Sequence, residues 1–431
     1  MNTLKITFVI FITSLCFLSS CGNKSEIINS KDYNSFLENK ENKSLDNANK
    51  EIDFWQNKFN ASPDQYSFLS QISSNYSKLF EITANIDYLI KAEQLLVQSN
   101  EALRYTNVGT IRSLARNYIS QHRFKEALVL ANKALAIGEG MKETQKLLFD
   151  VQMELGDYVA AENALKQIKN NKDFDYLIRI AKWSDHQGNL DKAISFMEKA
   201  TKIAEFNNNE YLKIWSYSNL GDMNGHAGKI KESYNYYLKT LQLDANNTYA
   251  LKGIAWIAFS HEKNTIEANR IIDVIAKKHN SPDFYLLKSE IAEYEKNSNA
   301  KDKNLALYFA MLQNKNYGVM YNKYNALLYA DEKSTANKAL EIAKEEVNNR
   351  PTPDSYDLLA WSYYSLGDVK KALEISQKYV VGKSFEPNLN YHLATIYKAN
   401  NLIEKVKPIK EDLLKSSFEL GPNLSIVIEK I

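Results

Sequence analysis

A small side chain returns along this chain at nearly constant intervals, and that regularity restricts the fold more than any other feature. The series is Ala92, Ala127, Ala161, Ala193, Ser233, Ala268, Ala336, Ala372 and Val406, with intervals of 35, 34, 32, 40, 35, 68, 36 and 34. The gap of 68 is twice 34, so one degenerate unit lies between Ala268 and Ala336, near 283–317, built on a helix around Asn304 to Leu312. About ten units then fill the chain. A punctuation signal recurs with the same period. Gly156-Asp157-Tyr158, Gly188-Asn189-Leu190, Gly228-Lys229-Ile230 and Gly367-Asp368-Val369 each place glycine before a polar and then an apolar residue. Glycine tolerates the left-handed backbone that ends a helix. The small residue follows about five positions later and lets two helices approach closely. Upstream of each turn an apolar residue precedes a small or apolar one: Leu148-Phe149, Ile180-Ala181, Leu220-Gly221 and Leu359-Ala360. Pro351 and Pro353 punctuate the chain between units, where a helix must end.

This pattern resembles the tetratricopeptide repeat, two antiparallel helices in about 34 residues. The best match runs from Ser355 to Gln377, and Leu220–Leu241 and Leu114–Ala136 follow it closely. The resemblance implies an all-α, right-handed superhelical solenoid of stacked antiparallel helix pairs, with its concave groove lined mainly by first helices. Composition agrees. Only 14 glycines and 7 prolines serve 431 residues, too few for a chain of strands and tight turns.

The N-terminus carries a different signal. Lys5 precedes an apolar run from Ile6 to Phe17, too short to span a bilayer and suited to a secretory signal peptide over residues 1–20. Leu18-Ser19-Ser20-Cys21 then resembles the lipobox of bacterial lipoproteins. That resemblance implies cleavage before Cys21 and acyl chains on its thiol and amine, and several chains give stable anchoring. Gly22, where the family often has Asp for inner-membrane retention, implies the outer membrane. The polar stretch 21–49 reads as a lipidated start and flexible tether, reaching about 30 Å as a coil. The solenoid is expected over 50–431.

Two cysteines, Cys16 and Cys21, both precede the folded body, so no disulfide or thiolate metal site is expected there. The 54 basic and 52 acidic side chains leave a net charge of +2, without the excess that marks a nucleic-acid binder. The histidines lack metal-ligand spacing, no glycine-rich phosphate loop occurs, and no enzyme or cofactor is expected.

The chain is therefore expected to bind other proteins, as a peptide or helix lying in the groove, while its lipid holds the membrane. Helical phase nominates Arg112, Arg116, Trp215, Asp222, Tyr321, Asn325, Trp361, Tyr364 and Tyr391 as groove contacts. The same aromatics could instead fill gaps between units. The Lys and Asn set of the family's carboxylate clamp is not found. The alternative is a glycan- or nutrient-capture outer-membrane lipoprotein with the same helix type, although such proteins interrupt their helices with long insertions.

Overall fold

The computed structural model describes residues 27–431. The expected signal peptide and Cys21 lie outside the described residues. Two helices, α1 (Ser30–Glu38) and α2 (Lys43–Ala61), come first. Helix pairs follow: α3 (Ser67–Thr83) with α4 (Ile86–Ala102), α5 (Val108–Ser120) with α6 (Phe124–Ile137), and α7 (Met141–Leu155) with α8 (Tyr158–Gln167). Next come α9 (Phe174–His186) with α10 (Leu190–Phe206) and α11 (Glu210–His226) with α12 (Ile230–Leu243). α13 (Thr248–Trp256) continues through a π-helical turn, Ile257–His261, before α14 (Thr265–Ile275). Then α15 (Asp283–Tyr294) pairs with α16 (Ser298–Met311), and α17 (Asn322–Ala330) with α18 (Ala336–Asn349). The last pairs are α19 (Pro353–Ser365) with α20 (Val369–Tyr379) and α21 (Pro387–Ala399) with α22 (Ile403–Lys415), closed by α23 (Ser417–Ile428). Among the described residues there is no strand, and α3 to α22 form ten pairs. No described helix is long and apolar enough to cross a membrane.

The small positions do what their spacing requires. All nine are buried, eight of them completely and Val406 at 5% exposure. In α6, α8, α10, α12, α14, α20 and α22 the residue is the fourth of its helix, where a bulky side chain would push the paired helix away. Ala92 is instead the seventh residue of α4 and Ala336 the first of α18, a slip of about one turn in each. The turn signal also has a mechanism. Gly156, Gly188, Gly228 and Gly367 all take positive φ. After three of them, Asp157, Asn189 and Asp368 cap the next helix by accepting from Ala160, Lys192 and Lys371 N–H at 3.0–3.1 Å. Elsewhere the same left-handed position is held without glycine, by His122, Lys263, Lys296 and Asn401. Each costs roughly 1–2 kcal/mol for the crowded Cβ, and Asn264 and Asn297 still supply the caps.

The degenerate unit is a complete helix pair. α16 lies where a helix was expected, but Tyr308 is its only buried residue.

The stack coils back on itself. His279 Nδ1 and Asn280 N–H meet the carbonyls of Ile82 and Thr83 at 2.9 and 2.6 Å. Asn316 donates to Asp87 at 2.8 Å, and Arg350 pairs with Glu154 at 3.6 Å. Phe385 lies on Gly188, and His226 approaches Glu419 at 3.9 Å. Partners such as His279 and Ile82 are far apart in sequence, and their separation means that one superhelical turn takes roughly six units of this period. At the π-helical turn, Trp256 Nε1 and Ser260 Oγ both donate to the Phe418 carbonyl, at 3.1 and 2.6 Å, and seat α23.

The expected flexible tether needs correction over residues 27–49. α1 docks onto α12 and α14, which lie far ahead in the chain. Tyr33 is fully buried, and Ile28 and Leu37 are 7% and 5% exposed. Ile27 and Ile28 N–H donate to Glu262 Oε1 at 2.6 and 2.9 Å, and the Tyr33 hydroxyl bonds Glu267. Tyr234 O–H donates to Asp32 at 3.1 Å, and Arg270 donates to Asn34 at 2.8 Å. α2 then packs on α3 through Ala48 and Ile52. Average composition hid this. A few apolar residues at helical spacing suffice to dock a segment when the partner surface supplies the hydrogen bonds. Residues 22–26 of the expected tether lie outside the described residues.

Candidate functional site: the inner wall of the superhelix

Closure of the superhelical turn creates an inner space that no single unit could enclose. A cavity of about 480 Å³ is bounded by α3, α11, α13, α15, the links before α13 and α15, and Asn42 and Ser44 at the start of α2. Lys78 and Glu81 face it from one side, and Tyr211, Tyr249, His279 and Asp283 from the other. Tyr211 and Tyr249 remain 64% and 55% exposed, although they sit on this inner wall. Aromatic rings left open on a concave surface offer large contact area at little entropic cost. Both follow directly from capping. Asn209 and Asn247 cap α11 and α13, and in each case tyrosine is the second helical residue, which aims it off the start of a first helix. The sequence carries the signal twice, as Asn209-Glu210-Tyr211 and one unit later as Asn247-Thr248-Tyr249, and helical phase alone missed it.

The wall is electrostatically mixed. Burial pushes the Glu81 carboxyl upward, with nearby Lys78 opposing. Lys252 pairs with Asp283 at 3.4 Å. A second cavity, about 230 Å³, lies against Lys252, Trp256, Glu290 and Tyr324. Glu290 is exposed on this wall, and the groups packed around its carboxyl push it up to about 7, helped by Glu293 and opposed by Lys252.

The nine sequence-nominated residues divide into three groups. Arg116 and the trio Trp361, Tyr364 and Tyr391 remain available surface. Arg116 lines a third cavity, about 370 Å³, with Ser70, Ser73 and Ser113, and makes no ion pair among the described residues. Burial lowers its pKa, and neighbouring Arg112 and Arg179 add to the shift. Trp361 stacks on Tyr364 at 4.8 Å and on His392 at 4.1 Å, with Tyr391 at 6.0 Å. Under this platform His392 Nδ1 meets Asp357 Oδ2 at 2.6 Å, both side chains buried. Burial raises the Asp357 carboxyl pKa, and the imidazole opposes that shift.

A second group serves as joinery between units. Arg112 donates to the carbonyls of Glu139 and Gly140 and to Thr144 Oγ1, at 3.2–3.4 Å, tying α5 to the start of α7. Trp215 lies edge-on to Phe174 at 6.0 Å and packs on the cores of two units, so here the gap-filling alternative holds. Asn325 accepts from the Tyr308 hydroxyl at 2.9 Å, and Tyr321 packs among Tyr308, Tyr317 and Tyr324. The third group is Asp222 alone. It accepts from Tyr237 at 2.5 Å and from Tyr249, so it fixes an inner-wall tyrosine rather than facing a ligand. Burial raises its pKa despite both hydroxyls.

Comparison with known proteins bears on the repeat itself. Residues 118–182, from the end of α5 to α9, match the tetratricopeptide repeat family. No curated protein sequence matches the chain. Among solved structures, PilF of Pseudomonas aeruginosa is 16% identical, with a TM-score of 0.37, over 49% of this chain and 94% of that one. A tetratricopeptide repeat protein from Parabacteroides merdae is 17% identical, with a TM-score of 0.39, over 58% and 94%. Yeast Tom70 is 12% identical, with a TM-score of 0.40, over 93% and 96%.

Proposed function

We propose that this chain of tetratricopeptide repeats is a membrane-anchored scaffold whose inner wall holds an extended peptide or helix of a partner protein, within an envelope or surface assembly. Repeats of this type build protein-interaction surfaces, and each unit adds a first helix to one continuous concave face. The observation that carries the reading is the pair of open tyrosines, Tyr211 and Tyr249, set one unit apart on that face with polar groups around them. Exposed aromatic anchors at unit spacing suit a partner that runs along the stack. The lipobox-like Leu18-Ser19-Ser20-Cys21 supports an acylated Cys21 as the anchor, and Gly22 favours the outer membrane.

The glycan-capture alternative asks for long irregular insertions. The longest break between described repeat helices, residues 312–321, packs instead against α4 through Tyr317, Leu312 and Met320. That supports the scaffold.

The test is affinity capture with the acylated chain, comparing wild type with Tyr211→Ala/Tyr249→Ala and with Trp361→Ala/Tyr364→Ala. Anchors of this kind are worth about 2 kcal/mol or more each, so one double variant should lose the partner while helix content is unchanged. Undiminished capture by both would end the groove reading. Cys21→Ser should release the protein from membranes, and its retention there would end the anchor reading.

A further inference from the structure

We infer that the turn into α14, covered by the docked N-terminal segment, is the edge of the solenoid held against the lipid surface. The inference rests on the reading of Cys21 as the lipid-bearing residue and adds where the membrane lies. Six residue steps separate Cys21 from Ile27, and at full extension they span at most about 22 Å. Ile27 is already fixed, because its N–H and that of Ile28 share Glu262 Oε1. The segment stays fixed for the length of α1. The Tyr33 hydroxyl bonds Glu267, Tyr234 holds Asp32 and Arg270 holds Asn34. Buried Ile28, Tyr33 and Leu37 join the same core as Ile271 and Ile275 of α14.

A tether running to residue 49 would leave every orientation open. A leash ending at Glu262 does not. It joins the sixth of the ten pairs, neither end of the stack, and it meets the second helices α12 and α14 rather than the first helices that carry Tyr211 and Tyr249. The lipid surface therefore lies beside the sixth unit, and the inner wall is left to the partner.

Ile266, in the first turn of α14 and 81% exposed, reports on this edge. Val129 on α6 is 68% exposed and lies four pairs away, two-thirds of the way round a turn of roughly six units. No cysteine follows Cys21 in the sequence, so Ile266→Cys or Val129→Cys introduces a unique free thiol. Each acylated variant is labelled with a fluorophore and bound to phosphatidylethanolamine–phosphatidylglycerol vesicles that contain an energy-accepting headgroup lipid. The inference expects several-fold stronger transfer from position 266 than from 129. It expects this difference to vanish in Tyr33→Ala/Leu37→Ala, which frees the segment while the protein still floats with the vesicles. Equal transfer from the two positions with the segment intact and the protein bound would overturn the inference and leave the anchor standing. A wild-type chain that does not float would overturn both.

Discussion

The units around α12 and around α16 are built from the same two-helix plan, yet their cores have different origins. In the first, Tyr237 of α12 lies over two glycines, Gly221 on α11 and Gly253 on α13. A Cβ on Gly221 would sit 2.5 Å from its ring, and one on Gly253 would also collide with it. The ring hydroxyl ends on Asp222 at 2.5 Å. What seats this side chain comes from its own unit, through Gly221 and Asp222, and from the next, through Gly253. In the second region α16 buries only Tyr308, and the loop that follows packs Tyr317 and Leu312 against Ile86 and Leu89 of the first pair. Here the stabilising surface comes from a distant stretch of chain. A repeat signature records packing between neighbours, so it fades where packing is supplied across superhelical turns.

The sharpest way to break this comparison is Tyr237→Ala. The side chain is 4% exposed, and truncating a buried aromatic costs about 3–5 kcal/mol. Two facing glycines cannot fill the space. The substitution should lower the urea midpoint more than any other proposed here, and a loss under about 1 kcal/mol would show that the ring is no pin between units.

The same contrast explains what the sequence made legible. Ten pairs, the buried alanine series and the glycine turns were readable because each is a local requirement that recurs. The turn at Lys296-Asn297 was not, because lysine holds the left-handed position that glycine marks elsewhere, and only the cap remained as a clue. α1 was missed because its partners on α12 and α14 are remote in sequence, and no pattern within residues 27–49 announces them. Helical phase nominates Arg116, which lines a cavity, and Trp361, which stacks on Tyr364, but it cannot tell an open ring from Trp215, wedged on Phe174. Tyr211 and Tyr249 escaped because phase says nothing about how far a helix start projects.

A smaller effect tests the seam between turns. Gly188 has φ of +75°, and a Cβ there would lie 2.6 Å from the Phe385 ring. Gly382 has φ of +69° with open space around it. Alanine costs roughly 1–2 kcal/mol of backbone strain at either position. Only Gly188→Ala must also displace Phe385, which is 58% exposed and can swing aside. Thermal or urea midpoints should therefore show Gly188→Ala the more destabilising of the two, by a fraction of the shared strain. Equal losses would mean that Phe385 adds nothing to the seam.

The smallest effect concerns charge where the two kinds of packing meet. Glu290 of α15 faces the inner cavity between Lys252 and Tyr324, and its carboxyl is pushed up to about 7 from an ordinary 4.5. The folded chain therefore binds this proton more tightly than the unfolded chain. Between about pH 4.5 and 7 the folded state holds more protons, so this group's contribution to stability falls as pH rises through that window. Below it, both states are protonated and the group is neutral in effect. Above it, the folded state carries a carboxylate that its surroundings disfavour. Asp185, Glu386 and Glu419 at the seam are raised by burial as well, so they drive the wild type in the same direction. Comparing Glu290→Gln with wild type cancels their contribution. At pH 8 the variant should have the higher urea midpoint, and at pH 4 the two should coincide. The same offset at both pH values would show that this carboxyl is not held protonated, and that water in the inner space solvates it as freely as at an outer surface.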